Sequence, residues 1–277
     1  MKLLLPIIAL FAVALLAACF AWAEAVSLLT ILAYTSFLIF AAGFVYRMMK
    51  WAKSPVPFRI PTTCGQEKSL PWIKTHPLEN PANAWGAIGR MAGEIFLFRS
   101  LFRNADVKMI GGRPVYGSAK WLWFFGLMFH GSLLLVALRH LRFFTEPILP
   151  FVNGLSALDG FFEIGVPALY LSDAALLAGL TFLFFRRVVL PQVRYISLFT
   201  DYFALLLIAA IAMTGLLMRH VYPVDLSAVK TMVAGWLVFA PVVPANAGVM
   251  LYLHLGFVFV LLAWLPWSKL IHMGGIF

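Results

Sequence analysis

Runs of about twenty consecutive apolar residues recur along this chain, and nothing constrains its fold more. In lipid every backbone N–H and C=O must be satisfied within the protein, so such runs form helices. Six are read: Leu3–Trp22, Val26–Met49, Trp121 to about Phe143, about Leu171–Phe185, about Phe203–Leu217 and Gly248 to about Met273. The fourth and fifth are short and extend into their flanks. With 63% hydrophobic and only 12% charged residues, an ordinary soluble domain is excluded. The expected fold is an all-α integral membrane protein, a six-helix transmembrane bundle.

The net charge of +10 could suggest a nucleic-acid partner, but its distribution argues for a membrane instead. Between Arg47 and Lys120 there are twelve Lys or Arg against four Asp or Glu, and Arg186, Arg187 and Arg194 follow the fourth span. On the other side stand only Arg139, Arg142, Arg219 and Lys230. This asymmetry is the positive-inside rule. It places both basic stretches and both termini in the cytoplasm, in a multi-pass protein of the cytoplasmic (inner) membrane. The start, Met1–Ala23, also has the features of a secretory signal, with a Lys, an apolar run and Ala-Trp-Ala before Glu24. It is read here as a retained span. Two cysteines, Cys19 and Cys64, are too few for a protein-borne iron–sulfur cluster or a disulfide framework.

Three regions follow: residues 1–49, two N-terminal transmembrane helices; 50–119, a cytoplasmic partner-docking segment; and 120–277, a four-helix core. The cytoplasmic segment is long for a loop, which points to a function of its own. Prolines at 55, 57, 61, 71, 77 and 81 argue for extended backbone in its first half. Ile88, Met91, Ile95, Phe98 and Leu101 then recur at helical spacing, interleaved with Arg90, Glu94, Arg99 and Arg103. The spacing predicts one amphipathic helix over Trp85–Phe102, lying on the membrane face, against a partner, or as a cap on the bundle.

Four histidines lie within the apolar segments: His130 and His140 on the third, His254 and His272 on the sixth. An ionisable side chain inside a membrane span is costly and marks a functional site by default. Ten residues advance about 15 Å and turn to within roughly 80° of the starting face; eighteen make about five full turns and 27 Å. The third span runs outward and the sixth inward, so depth pairs His130 with His272 and His140 with His254. Such pairs are suited to be the axial ligands of two b-type haems. The bland alternative is a set of helix-end histidines at the interface. His220, after Arg219 at the outer end of the fifth span, competes: it could replace His140 or His254, contact a quinone, or be an ordinary interfacial residue. His76, in the Pro-rich segment, reads as a surface residue. Gly126 and Gly131 flank His130 and leave room for a macrocycle or a neighbouring helix. Arg139, Arg142 and Arg219 are placed to meet haem propionates or a quinone carbonyl, or to snorkel to headgroups; Lys269 and Arg187 could do the same inside.

This arrangement of histidines on two spans resembles the gamma subunit of respiratory nitrate reductase, a five-span dihaem cytochrome b, from about Val26 onward, leaving the first span as an addition. Phe58-Arg-Ile-Pro-Thr-Thr-Cys-Gly-Gln, Lys68-Ser-Leu-Pro-Trp-Ile-Lys, and Arg90-Met with Phe98-Arg-Ser-Leu-Phe-Arg-Asn are similar to the membrane cytochrome (DsrM) of the Dsr complex of dissimilatory sulfur metabolism. The resemblance implies two haem b on His130, His140, His254 and His272, with menaquinone as carrier. It also implies a cytosolic iron–sulfur subunit similar to heterodisulfide reductase, a periplasmic multihaem cytochrome c and a further membrane subunit. His220 has no counterpart in the nitrate reductase pattern. The expected role is an electron-transfer subunit of a menaquinol-linked oxidoreductase, with the quinol near Arg139, His140, Arg142, Arg219 or His220. The rivals are a haem-free anchor recruiting a cytosolic enzyme, a cytochrome b of another heterodisulfide- or nitrate-reductase-type complex, and, last, a small-solute transporter. Against the transporter, no internal repeat is present.

Overall fold

A computed structural model of the chain describes all residues except 1, 24–25, 55–70, 73–76, 80, 104, 161–168, 243, 245–246 and 277. His76, Cys64 and most of the Pro-rich motif therefore lie outside the described residues. The chain divides into two compact units, one of residues 53–127 and one of 1–52 with 128–277.

In the larger unit, α1 (Leu4–Trp22), α2 (Val26–Ala52) and α9 (Phe199–His220) pack around α11 (Val249–Trp264). With α5 (Lys120–His140), most of which belongs to this unit, these are the five helices long and apolar enough to cross a membrane among the described residues. The fourth expected span is α7 (Leu171–Val189), which packs on α9. It has the length of a span, but Asp173, Arg186 and Arg187 keep it outside that set. Two shorter helices, α6 (Pro150–Asp159) and α10 (Leu226–Leu237), and a small α8 (Pro191–Ile196) complete the unit.

Three buried clusters join these helices. Leu29, Met232, Val233, Leu251, Tyr252 and Phe259 unite α2, α10 and α11. Phe129, Leu176, Leu180 and Ile208 unite α5, α7 and α9. Phe203, Leu207 and Phe257 join α9 to α11, with Leu10 and Val13 of α1 against them. Helices in lipid gain nothing from the hydrophobic effect between them, so close backbone approach carries the packing. A Cβ on Gly179 would sit 3.0–3.2 Å from the backbone and Cβ of Phe129, and one on Gly256 would sit 3.1 Å from the Cβ of Ala17. Gly179→Leu therefore overpacks the α5–α7 contact. A loss of about 1–3 kcal/mol is expected, read as a lower thermal midpoint of the solubilised protein, with Gly179→Ala milder. Hydroxyls in the spans are satisfied on their own helices, as Ser132 on the Met128 carbonyl (2.7 Å) and Thr214 on that of Ala210 (2.8 Å).

The expected continuous sixth span is not continuous. Its α-helix ends at Trp264, and Leu265–Trp267 and Lys269–Ile276 are 3-10 turns. Pro266 lacks the N–H that another α turn requires, and it is fully buried beneath α2, where a Cβ on Gly43 would meet its Cβ at 2.8 Å. His254 and His272 thus do not share one helix face. His272 sits on a C-terminal strap.

The smaller unit departs further from expectation. The single amphipathic helix is two: α3 (Ala84–Leu97) and α4 (Arg99–Arg103), broken at Phe98, whose φ is 47°. Asn83 caps the start of α3, accepting from the Gly86 N–H at 2.8 Å. Glu94 makes the break, accepting from the Ser100 N–H (3.0 Å) and hydroxyl (2.6 Å) and so capping α4. Partial burial pushes the Glu94 carboxyl up, but Ser100, Arg99 and Arg90 outweigh it and hold the group below its ordinary value. The clasp is therefore present above the ordinary carboxylate range and is lost as pH falls through that lowered value. Trp123, at the start of α5, donates to the Leu97 carbonyl at 2.7 Å and packs edge-on against Phe102.

The unit is also not all-α. Strands β1 (Ala105–Ile110) and β2 (Arg113–Ser118) form an antiparallel hairpin. Its turn, Gly111-Gly112, has φ of 57° and 76°, the positive pair that a tight two-residue hairpin requires. Register places Val107 opposite Tyr116 and Met109 opposite Pro114 on one face, and Val107, Met109 and Tyr116 are exposed.

Candidate haem and quinol site

The larger unit brings His130 and His272 together. The His130 and His272 ring centres are 6.1 Å apart, with planes at 78°. Two imidazoles on one metal, each bonded at about 2 Å, have centres roughly 6 Å apart. Phe129 packs edge-on against His130 at 4.9 Å. Gly131 is exposed and a Cβ there would meet no atom within 4 Å, whereas Gly126 faces the Leu101 side chain.

The outer pair is held by other means. His254 on α11 has its Nδ1 3.1 Å from the Ile211 carbonyl and 3.0 Å from the Thr214 hydroxyl, both on α9. The small Gly215 leaves room at this ring, where an added Cβ would lie 3.4 Å from Cε1. His140 has its Nδ1 2.7 Å from the Val136 carbonyl one turn back, and lies within electrostatic reach of His254.

His272 likewise has its Nδ1 2.9 Å from a carbonyl, that of Lys269. A carbonyl only accepts, so in His140, His254 and His272 Nδ1 is the donor, which leaves Nε2 as the ring atom that could meet a metal. That is the outer-shell arrangement of metal-ligating histidines. Among the described residues no group of three or more His, Cys, Asp or Glu forms a protein-only metal cage. Two imidazoles brought ring to ring, as His130 and His272 are, fit a b-type haem, whose macrocycle supplies the remaining ligands.

At the C-terminal ends of α5 and α9 the arginines turn to protein partners. Arg139 is buried and donates to Asp159 of α6 and to Ser172 of α7 (2.8 Å). The buried Asp159 also accepts from the Ser172 N–H (2.8 Å) and hydroxyl (2.6 Å), and Asp173 lies 3.7 Å from Arg139. Arg142 bonds the Ser156 hydroxyl at 2.6 Å. The guanidiniums of Arg139 and Arg219 both stack on Tyr170, at 3.5 and 4.2 Å from its ring centre. His220 is exposed at the end of α9. On the inner side, Lys269 and Arg187 both turn to Asp201, at 2.9 and 4.0 Å.

Tyr170, Asp159, Ser172 and Asp173 were not anticipated. Two carboxylates at the edges of apolar segments were the available signal, since an acid there needs a cation and the third span ends in Arg139.

The nitrate reductase gamma subunit family matches residues 116–276, a stretch that includes all four paired histidines. The chain is 41% identical over 254 residues to the cytochrome b-like subunit of the Hdr-like menaquinol oxidoreductase of Archaeoglobus fulgidus, covering 89% of this chain and 76% of that one. The corresponding subunit of Archaeoglobus profundus is 38% identical over 261 residues, covering 91% and 77%. No solved structure matches the chain.

Proposed function

Because the chain belongs to the nitrate reductase gamma subunit family, we propose that it is a dihaem b-type cytochrome subunit exchanging electrons between menaquinone and a cytoplasmic, heterodisulfide-reductase-like iron–sulfur subunit. The observation that carries this reading is the facing pair His130 and His272 at 6.1 Å, with three of the four rings fixed through Nδ1. His130 and His272 would hold the inner haem, and His140 and His254 the outer one. When bound, the two haems would supply one-electron redox chemistry at two depths of the membrane.

This chain's own residues then set orientation and proton traffic. We count α7 as a sixth span, with both termini cytoplasmic. The Arg139, Arg142, Arg219 and Tyr170 cluster, with His220 at its edge, would orient the quinol. Two protons would leave outward as two electrons pass inward, so the step separates charge. The likeness of the cytoplasmic motifs to the Dsr membrane cytochrome supports a place in respiratory sulfur metabolism, with a periplasmic multihaem cytochrome c and a further membrane subunit as partners.

The test is a haem-to-protein ratio on the purified chain in its complex. Two b haems per chain, reducible by a menaquinol analogue, are expected; a colourless protein would favour the anchor reading. The iron–sulfur subunit would dock on residues 50–119. Changing Tyr116 to Asp on the exposed apolar face of the hairpin should weaken its co-purification about tenfold, as loss of an aromatic interface anchor does. Unchanged co-purification would move the docking surface elsewhere.

A further inference from the structure

Three of the four candidate ligands have Nδ1 held by a carbonyl, but the three carbonyls differ in what fixes them. That of Val136 belongs to the same α-helix as His140, and that of Ile211 to α9 beside His254. That of Lys269 belongs to the strap beyond Pro266, outside any α-helix. The orientation of His272 is therefore only as well defined as the strap.

The strap has a specific clasp. The Lys269 ammonium donates to both oxygens of Asp201, at 2.9 and 3.2 Å. Asp201 is buried in the first turn of α9, and its carboxylate also accepts from the Leu198 N–H at 3.0 Å. Arg187 stands 4.0 Å away and is itself held by the Ser197 hydroxyl at 3.2 Å. The acceptor is thus rigid, while the Lys269 side chain is mostly exposed. An ion pair with one exposed partner adds little to stability. It can nonetheless restrict where the following residues lie.

We propose that Asp201 is a positioning residue for the inner haem: it fixes Lys269, whose carbonyl sets the ring of His272. The proposal rests on the dihaem reading above. It goes beyond that reading in assigning a role to an inner-side carboxylate that ligates nothing.

The experiment is low-spin haem electron paramagnetic resonance with redox titration on the intact complex carrying Asp201→Asn, Lys269→Met, both, or Asp201→Glu. Lys269→Met spares the bond from Asp201 to the Leu198 N–H, so it separates loss of the clasp from damage to the start of α9. Expected is a shifted signal and shifted midpoint potential for one haem in Asp201→Asn, with the other haem unchanged. Lys269→Met should reproduce the shift, the double variant should add nothing further, and Asp201→Glu should restore the parent signal. The thermal midpoint of Lys269→Met should stay near that of the parent. Two unshifted signals in Lys269→Met, or equal shifts of both haems, would overturn the clasp while leaving the dihaem reading intact. A parent complex without two low-spin haems would overturn the dihaem reading itself, and the clasp with it.

Discussion

On the proposed dihaem reading, His130→Ala is expected to leave one b haem per chain instead of two, and His272→Ala to lose the same one. Their ring centres lie 6.1 Å apart, edge-on, so either change would remove one of the two residues proposed to hold the same haem. His140→Ala and His254→Ala should lose the other haem. Changes to outer-shell partners alone typically cost 10–100-fold in metal affinity or activity, so removing a ligand should lower quinol-driven reduction of the cytoplasmic acceptor by more than about 100-fold. Optical spectra of the four variants, with pyridine haemochrome against protein, give the answer. A His130→Ala protein that kept both haems would refute the assignment. His220→Ala should keep both; loss of the outer haem there would instead make His220 the ligand.

The second large effect is one of stability. Asp159 is 4% exposed and accepts from Arg139 and twice from Ser172. Removing one partner of a buried ion pair costs about 3–5 kcal/mol; Asp173, 3.7 Å from Arg139, offsets part of this, so Asp159→Ala should lower the thermal midpoint by an amount at the low end of that range. Arg139 adjoins His140, so outer-haem occupancy should fall with it. Replacing Arg139 and Asp159 together by Met and Leu should be milder than Asp159→Ala alone, because neither member of that pair is left alone and Asp173 keeps the nearby Arg219. A midpoint indifferent to Asp159→Ala would show that Arg139 finds compensation elsewhere.

These outcomes bear on how much a linear reading can see. Apolar runs such as Val26–Met49 and Trp121–Phe143 were legible because lipid leaves the backbone a helix as its solution. The four histidines stood out because imidazole is costly inside an apolar span, and the structure brings His130 and His272 close together. Asp159 and Asp173 stayed hidden because their cation arrives from a different helix, and partnership across helices has no period. The hairpin did carry a signal, Gly111-Gly112 between Met109-Ile110 and Val115-Tyr116. It was overridden by the helical spacing just before it. That spacing was itself half right: the apolar repeat continues past Phe98, but Glu94 turns back to cap Ser100 and splits the helix.

The turn at Pro266 changes what the interval between the last two histidines means. Were it spanned by one α-helix, a single inserted or deleted residue would swing the distal ring about 100° off its mark. A bent linker carries no such phase. Relatives with an interval one residue longer or shorter can seat the same two rings, and surveys keyed to strict helical recurrence would pass them by.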